Sequence, residues 1–239
     1  MDPARVAFDF LRRCETEEDT AQVVDAFRVA IALFGFTSSA GGGWIGEGQG
    51  RLQRFYFNDW PAEWLEIHRR TADFNHDPIV IEAARVMNPF TWTQIRAHMR
   101  PTSRGRALME ACDAFGWREI FAVPIHGPAG YVGLVALASM TTLALGARER
   151  AALEMMALAV HRRSHETRGF GVGPTVTKIT ERQRECLRWV AAGRQDGEIA
   201  ELLGVSVATV HYHVEAAKKR LDARSRSQAV ARLVLSGQL

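Results

Sequence analysis

Hydrophobic residues recur at helical spacing in the first part of the chain. The clearest run comprises Val23, Val24, Phe27, Ile31 and Phe34. Residues three and four positions apart share one face of a helix, so this run predicts a helix whose apolar face packs against a core. Thr16, followed by Asp19, resembles a capping box that starts the helix, and Gly35 is expected to end it.

The pattern then alternates between strands and helices. The predicted elements are strands over 36–44 and 51–57, helices over 59–71 and 77–87, a short strand over 90–92, a helix over 104–115, a β-hairpin over 120–139 that turns at 127–130, and a helix over 147–166. Short strands interleaved with helices predict an α+β fold, an α/β/α sandwich around one antiparallel sheet. Sandwiches of this kind often hold small ligands.

A change of composition follows the last of these helices. The segment GFGVGPTV, residues 169–176, holds three glycines and one proline, which is typical of a linker. We therefore divide the chain into an N-terminal domain over 1–168, a linker over 169–177 and a C-terminal domain over 178–239.

Three short helices are predicted at the start of the C-terminal domain. Thr180 caps the first, the second runs over 196–203 to Gly204, and Ser206 caps a third that extends to Leu221. The inward face of the third helix comprises Val210, Val214, Ala217 and Leu221. A helix, a glycine turn and a helix with one polar face predict a helix-turn-helix that enters the major groove of DNA, with a purely structural bundle as the alternative.

Charge supports this division. The chain carries a net charge of +3, and residues 178–239 hold 11 Lys/Arg against 7 Asp/Glu, or +4, which leaves 19 against 20, or −1, for the rest. A basic segment joined to a nearly neutral one fits a nucleic-acid-binding module attached to a different function.

Composition restricts the class of protein. With 47% hydrophobic and 9% aromatic residues, the chain can form ordinary globular cores. Its opening segment is rich in acids and holds no long apolar run, so we expect a cytoplasmic protein without a signal peptide or a membrane contact. Cys14, Cys112 and Cys186 are scattered, which predicts buried thiols rather than disulfides or a cysteine zinc site.

The C-terminal sequence TERQRECLRWVAAGRQDGEIAELLGVSVATVHYHVEAAKKRLDARSRSQAVA closely resembles the DNA-binding domain of LuxR-type regulators. The matching residues are Thr180, Arg182, Leu187, Gly193, Ile199, Ala200, Leu202, Val210, His213, Lys219, Leu221 and Ala229. The chain departs from the family at Gln183, where a glutamate is usual; glutamine keeps a hydrogen bond at the helix start but not the charge.

This resemblance implies a set of DNA-contacting residues on and before the third helix. Ala208, His211 and Glu215 would approach bases, and Lys218, Lys219 and Arg220 would contact phosphates. Ser206, Thr209 and Tyr212 complete the predicted interface. The partners implied are an inverted-repeat operator in double-stranded DNA, a second copy of the chain and, as a further candidate, RNA polymerase. We expect dimer contacts from the last helix and from the helix that bears Leu153, Met156 and Val160.

The segment WPAEWLEIHRRTADFNHDPIVIEAARVMNPFTW resembles the acyl-homoserine-lactone-binding domain of quorum-sensing LuxR-type receptors. Trp64, Asp77, Pro78 and Trp92 match the family by identity and by spacing. The resemblance implies that Asp77 accepts the ligand's amide N–H, that Trp64 donates its indole N–H to the lactone carbonyl, and that Trp92 packs against the ring. Trp60 is assigned to the same site. A regulatory lactone is implied, and no cofactor.

Three positions of this site depart from the family. His68 replaces a tyrosine that usually donates to the acyl carbonyl, Ile120 replaces a glycine, and Ala136 replaces a serine or threonine. Histidine still offers a donor, whereas the other two changes remove pocket volume and a hydroxyl. These departures favour an unusual acyl group, a ligand of another class or a ligand-independent regulator as alternatives.

Other interpretations assign these residues no ligand. Trp64 and Trp92 can be core aromatics, and Asp77 can serve only to cap a helix. His161 and His165 lie one helical turn apart, as metal ligands can, but without HExxH spacing we assign them to a solvated helix end. No GxSxG, P-loop or GxGxxG occurs in the sequence, so an enzyme is not expected.

Overall fold

A computed structural model describes residues 2–45, 52–71, 74–168 and 179–235. The chain divides into two compact units, which are described separately. The first contains the sheet and the helices of the N-terminal part, and the second contains the C-terminal helices. The predicted linker over 169–177 lies outside the described residues.

The sheet of the first unit is antiparallel throughout. Its strands are β1 (Ser38–Ile45), β2 (Leu52–Asn58), β3 (Phe90–Thr91), β4 (Glu119–His126) and β5 (Val132–Ser139), in the order β2-β1-β5-β4-β3. The central ladder joins β1 to β5, with Ala40 opposite Ala136, and the predicted hairpin joins β4 to β5. Helices cover both faces, so the α/β/α sandwich expected from the sequence is confirmed.

Alternation along the strands separates two cores. Phe121 and Val123 of β4 face one core, whereas Ile120 and Ala122 face the other. The first core is closed by helices α1 (Pro3–Thr16), α2 (Thr20–Ala32) and α7 (Ala147–Arg168). The second core lies under α3 (Ala62–Thr71), α4 (Pro78–Ala83), α5 (Trp92–His98) and α6 (Ser103–Phe115).

Several predicted boundaries were wrong for local reasons. Thr16 ends α1, a helix that the pattern analysis had not identified, and Asp19 caps α2 through the N–H of Ala21. The predicted helix over 77–87 stops at Ala83. Trp92 begins α5 rather than ending a strand, because Thr91 and Gln94 form a capping box there.

His161 of α7 is buried, so its assignment to a solvated helix end was wrong. Its side chain is 4% exposed, and its Nε2 is hydrogen-bonded to the hydroxyl of Tyr131 at 2.8 Å. Gly133 of β5 makes room for the imidazole, since a Cβ there would lie 2.5 Å from the ring. Burial, followed by the neighbouring His165, lowers the pKa of His161 to about 3.

The outer face of α7 also differs from the expectation. Leu153, Met156 and Val160 are each 0% exposed and pack into the first core, so they present no surface to a second chain. Met155 and Leu158, which are 39% and 42% exposed, are the large apolar residues on the outer side of α7. The three cysteines are free and buried, as predicted.

The second unit is a bundle of short helices. They are α8 (Glu181–Ala191), α9 (Asp196–Leu203), α10 (Val207–Arg220) and α11 (Arg226–Leu235). Thr180 and Ser206 cap α8 and α10, and Gly204 ends α9 with a φ of 64°, as the sequence predicts. Val210, Val214 and Ala217 of α10 pack into one core with α8, α9 and α11.

Among the helices in the described ranges, none is both long and apolar enough to cross a membrane.

Candidate functional site

A cavity of about 120 Å³ lies on the side of the sheet covered by α3 to α6. All seven ligand-site residues named from the sequence line it: Trp60, Trp64, His68, Asp77, Trp92, Ile120 and Ala136. They come from helices, loops and strands that lie up to 76 positions apart in the sequence, as Trp60 and Ala136 show. The fold therefore gathers them around one space.

Asp77 provides a carboxylate in the cavity wall. It is the N-cap of α4, so its Oδ1 accepts the backbone N–H of Ile79 at 2.8 Å, and Pro78 starts the helix with the φ that proline favours. Its Oδ2 lies 2.9 Å from Nε2 of His68, and 14% of its side chain is exposed. Each oxygen has more than one lone pair, so the carboxylate can accept a further N–H from a ligand.

His68 lies on α3, one helical turn after Trp64. Its ring meets the indole of Trp64 edge-on, with 6.1 Å between the ring centroids. Burial lowers the pKa of His68, but the hydrogen bond and the charge of Asp77 raise it by more, so the pKa lies above its ordinary value. The Nε2 of His68 is therefore already engaged by Asp77.

Aromatic side chains form much of the remaining wall. Trp64 packs against Phe115 and Trp117, and Trp60 meets Trp117 edge-on at 5.4 Å. These clusters fix the orientation of the two indoles at the cavity.

Trp92 approaches the same space from the start of α5, and its buried indole Nε1 has no hydrogen-bond partner among the described residues. A buried indole N–H without an acceptor is uncommon in folded proteins.

Further lining residues were missed by the sequence analysis. They include Trp44, Phe74, Leu134, Cys112 and Arg54. Trp44 and Phe74 pack edge-on with their ring centroids 5.0 Å apart. The hairpin pattern already placed Leu134 two positions before Ala136, on the same face of a strand, which was the one available signal.

Three consecutive glycines of β1 form the cavity floor. A Cβ at Gly41 would lie 2.3 Å from the ring of Phe57, one at Gly42 would lie 2.5 Å from the carbonyl oxygen of Arg54, and one at Gly43 would lie 2.3 Å from the hydroxyl of Tyr131. The strand register shifts between Gly41 and Gly42, which marks a bulge. Backbone alone therefore closes the cavity here.

The predicted DNA-contacting residues lie on or directly before α10. Ser206 caps the helix and accepts the N–H of Thr209 at 3.1 Å. Ala208, His211, Tyr212, Glu215, Lys219 and Arg220 are exposed, whereas Thr209 and Lys218 are half-buried. These exposed residues lie on the surface of α10 away from its packed apolar residues, as insertion into a groove requires.

Contacts within the unit engage three of these residues. Lys218 is bound by Glu215 at 2.8 Å and keeps only 18% of its side chain exposed. Arg220 donates to Oε1 of Gln183 at 3.4 Å, and Gln183 also completes the capping box with Thr180. The glutamine thus preserves the helix-start hydrogen bond, as expected. Of the three predicted phosphate contacts, Lys219 is exposed and makes no ion pair within the described ranges.

His211 is also held within the unit. Its Nδ1 lies 3.4 Å from Oδ2 of Asp196, the first residue of α9, and Oδ1 of the same carboxylate binds Arg226 of α11. This carboxylate therefore connects α9 to both α10 and α11.

Comparisons with known proteins match both parts of the chain to described families. A family profile described as an autoinducer binding domain matches residues 19–164, and a second profile, described as bacterial regulatory proteins of the luxR family, matches residues 177–233. The chain is 28% identical to the transcriptional activator protein BjaR1 of Bradyrhizobium diazoefficiens, over 97% of this chain and 95% of that protein. It is 26% identical to the quorum sensing-dependent transcriptional regulator RpaR of Rhodopseudomonas palustris, over 98% and 94%.

Solved structures share the fold. SdiA of Escherichia coli matches with a TM-score of 0.72 at 17% identity and covers 97% of each chain. CepR2 of Burkholderia cenocepacia, described as an N-acylhomoserine lactone dependent LuxR family factor, matches with a TM-score of 0.55 at 18% identity, over 73% of this chain and all of that one. The autoinducer-binding profile alone spans more than half of the sequence. The chain therefore belongs to the LuxR family of bacterial transcription regulators, with an autoinducer-binding domain followed by a helix-turn-helix DNA-binding domain.

Proposed function

We propose that the protein is a quorum-sensing transcription regulator whose DNA binding is controlled by an N-acyl homoserine lactone held in the N-terminal cavity. The observation that carries the proposal is the carboxylate of Asp77 in a wall otherwise rich in aromatic and aliphatic side chains. A largely shielded carboxylate in an apolar cavity selects a ligand that has one N–H donor and an apolar body.

An N-acyl homoserine lactone has the complementary groups. Its amide N–H binds Asp77, its lactone carbonyl accepts from the indole of Trp64, and its ring packs beside Trp92. The acyl chain lies along the apolar wall. Ile120 and Ala136 offer no hydroxyl to this chain, which favours an acyl group without a polar substituent at that point.

Relatives support the regulatory role. BjaR1 and RpaR are named as a transcriptional activator and a quorum sensing-dependent regulator, and both match this chain over nearly its whole length. One solved structure of SdiA is described as a complex with octanoyl-rac-glycerol, which is not a lactone. An acylglycerol is therefore the comparison ligand in the test below.

The DNA-binding form is a homodimer on an inverted repeat in the cytoplasm, where RNA polymerase is a further partner. Two recognition helices related by a two-fold axis read two half-sites, which a single short helix cannot specify. We assign residues 1–168 to the autoinducer-binding domain, 169–177 to the linker and 178–239 to the DNA-binding domain.

Ligand binding and operator binding test the proposal together. The full-length protein is screened by thermal unfolding against straight-chain, branched and aromatic N-acyl homoserine lactones and against octanoylglycerol. A lactone that binds the folded state raises the melting temperature by mass action and changes the gel shift of an inverted-repeat operator. Stabilisation by octanoylglycerol alone would indicate another ligand class. No stabilisation by any compound, with operator binding intact, would identify a ligand-independent regulator and contradict the proposal.

A further inference from the structure

Asp77 and His68 share one hydrogen bond at the cavity wall, and this bond decides what the imidazole can offer a ligand. Nε2 of His68 lies 2.9 Å from Oδ2 of Asp77. A carboxylate oxygen only accepts hydrogen bonds, so Nε2 carries the hydrogen in this pair. The second ring nitrogen, Nδ1, makes no hydrogen bond within the described parts of the chain.

The protonation state of the ring then fixes the character of Nδ1. In a neutral imidazole with its hydrogen on Nε2, Nδ1 is an acceptor. It becomes a donor only when the ring is positively charged. A tyrosine hydroxyl, by contrast, donates to a carbonyl without taking up a proton.

We propose that His68 has two recognition functions, positioning Asp77 through Nε2 and donating to the acyl carbonyl of the lactone through Nδ1, so that lactone binding takes up a proton. This inference rests on the proposed function. The family has a tyrosine at this position, whose donation needs no proton uptake. With His68 in its place, the lactone binds more tightly at lower pH.

The surroundings of His68 are compatible with a charged ring. The contact with Asp77 raises its pKa despite burial, and both side chains keep some exposure, 29% and 14%, through which a proton can exchange. Cys112 of α6 lines the same cavity, and burial raises the pKa of its thiol, which therefore stays neutral. Arg54 of β2 also lines the cavity. Arg69 and Arg70 follow His68 on α3, where Arg69 is paired with Glu66.

The direction of the pH effect follows from linkage. The bound state holds one more proton than the free state wherever free His68 is neutral. Affinity therefore falls as the pH rises above the pKa of the free protein, by up to about tenfold for each pH unit. At pH values below that pKa the ring is already charged, and the affinity is constant.

Titration calorimetry on the full-length protein tests the inference. The most stabilising lactone of the panel is titrated between about pH 6 and pH 8, the range in which histidine titrates, with its integrity checked by mass spectrometry because the lactone ring opens in base. At each pH, two buffers of different ionisation enthalpy give the number of protons taken up. We expect uptake that approaches one proton and an affinity that declines with pH.

Matched variants separate recognition from a structural role. His68→Tyr supplies a neutral donor, so it retains binding and loses the pH dependence. His68→Phe lacks both nitrogens and weakens binding at every pH. His126→Gln, at an exposed histidine that ends β4, leaves the wild-type slope unchanged. Lactone binding without proton uptake, or the same slope in His68→Tyr, would overturn this inference alone, whereas no lactone binding at any pH would overturn the proposed function with it.

Discussion

The backbone N–H of Trp92 donates to Oε1 of Glu119 across 3.1 Å, although 27 residues separate them in the sequence. The same oxygen accepts the N–H of Ile120 at 3.0 Å. Trp92 and Ile120 both line the cavity. The buried carboxylate of Glu119 therefore links the start of α5 to β4 at the cavity wall.

We expect Glu119→Ala to destabilise the first unit by about 1–3 kcal/mol for each buried donor that it leaves without an acceptor. Urea unfolding followed by tryptophan fluorescence measures this, because five of the six tryptophans lie in the N-terminal part, with Trp189 the exception. Glu110→Ala, at an exposed position of α6, is the control and should change stability by less than about 0.5 kcal/mol. Equal effects of the two substitutions would contradict the role given to Glu119.

Asp77→Asn should weaken lactone binding by about 1.5–3 kcal/mol, the range for hydrogen bonds to a charged group. The amide keeps the size of the side chain but removes the charge that contacts His68 and that we propose binds the ligand N–H. Trp64→Phe should cost less, because it deletes one neutral donor and keeps an aromatic ring. Titration calorimetry compares both with Asp9→Asn, an exposed acid on α1. A larger loss from Trp64→Phe would reverse this ranking.

The first unit should lose stability as the pH falls below 6.5, because unfolded His161 binds a proton that the buried ring excludes until about pH 3. Folding lowers the pKa of His161. The neutral ring therefore contributes its full stability at pH values above the pKa of the unfolded chain, and this contribution declines as the pH falls below that value. The slope from this group approaches about 1.4 kcal/mol per pH unit within that window.

His161→Gln retains a hydrogen-bonding group for Tyr131 and does not titrate. Its unfolding free energy should therefore depend less steeply on pH than that of the wild type between about pH 7 and pH 5. Identical pH profiles for the two proteins would show that His161 does not control acid sensitivity.

Lys219→Ala should lower the affinity for every DNA sequence and reduce the slope of log K against log salt by about one, as expected for one lost phosphate contact. Lys218 is paired with Glu215, so Glu215→Gln should increase non-specific affinity by releasing that lysine. Gel shifts at several salt concentrations measure both effects. Arg148→Ala, at an exposed position in the first unit, provides the charge-matched control. An unchanged slope in Lys219→Ala would exclude that residue from the interface.

A double substitution, Met155→Glu with Leu158→Glu, should weaken self-association, because it places two charges on the exposed apolar side of α7. Val29→Glu introduces a charge at an exposed apolar position of α2 and serves as the control. Analytical ultracentrifugation gives the dissociation constants. If the α7 double variant still forms a dimer and Val29→Glu does not, the dimer contact lies on α2 instead of α7.

Most elements of the fold could be predicted from local signals. Gly116 and Gly204 adopt the positive φ that is common at helix ends. Alternate apolar residues of the hairpin strands face the two cores, as their spacing predicts. The missed helices also carried signals: Asp2 and Pro3 start α1, and the Thr91–Gln94 capping box starts α5.

Contacts between distant residues could not be predicted in this way. The burial of His161 depends on Tyr131, which directly precedes β5, and on the missing side chain of Gly133 within β5. The engagement of His68 by Asp77 likewise depends on how α3 meets the start of α4. The family resemblance named residues that line one cavity, but their hydrogen-bond partners follow from the packing of the whole domain.

The glycines at 41 to 43 also limit how the receptor can be re-engineered. A Cβ at each of these three glycines would meet the ring of Phe57, the β2 backbone or the hydroxyl of Tyr131 at 2.5 Å or less, so a substitution there forces neighbouring atoms to shift and should destabilise the sheet, most of all at Gly42, where the neighbour is backbone. Variation in ligand preference is instead available at Ile120, Leu134 and Ala136, whose side chains extend from the neighbouring strands into the same space. A designer who seeks a receptor for a bulkier or smaller signal should randomise β4 and β5 and leave β1 unchanged.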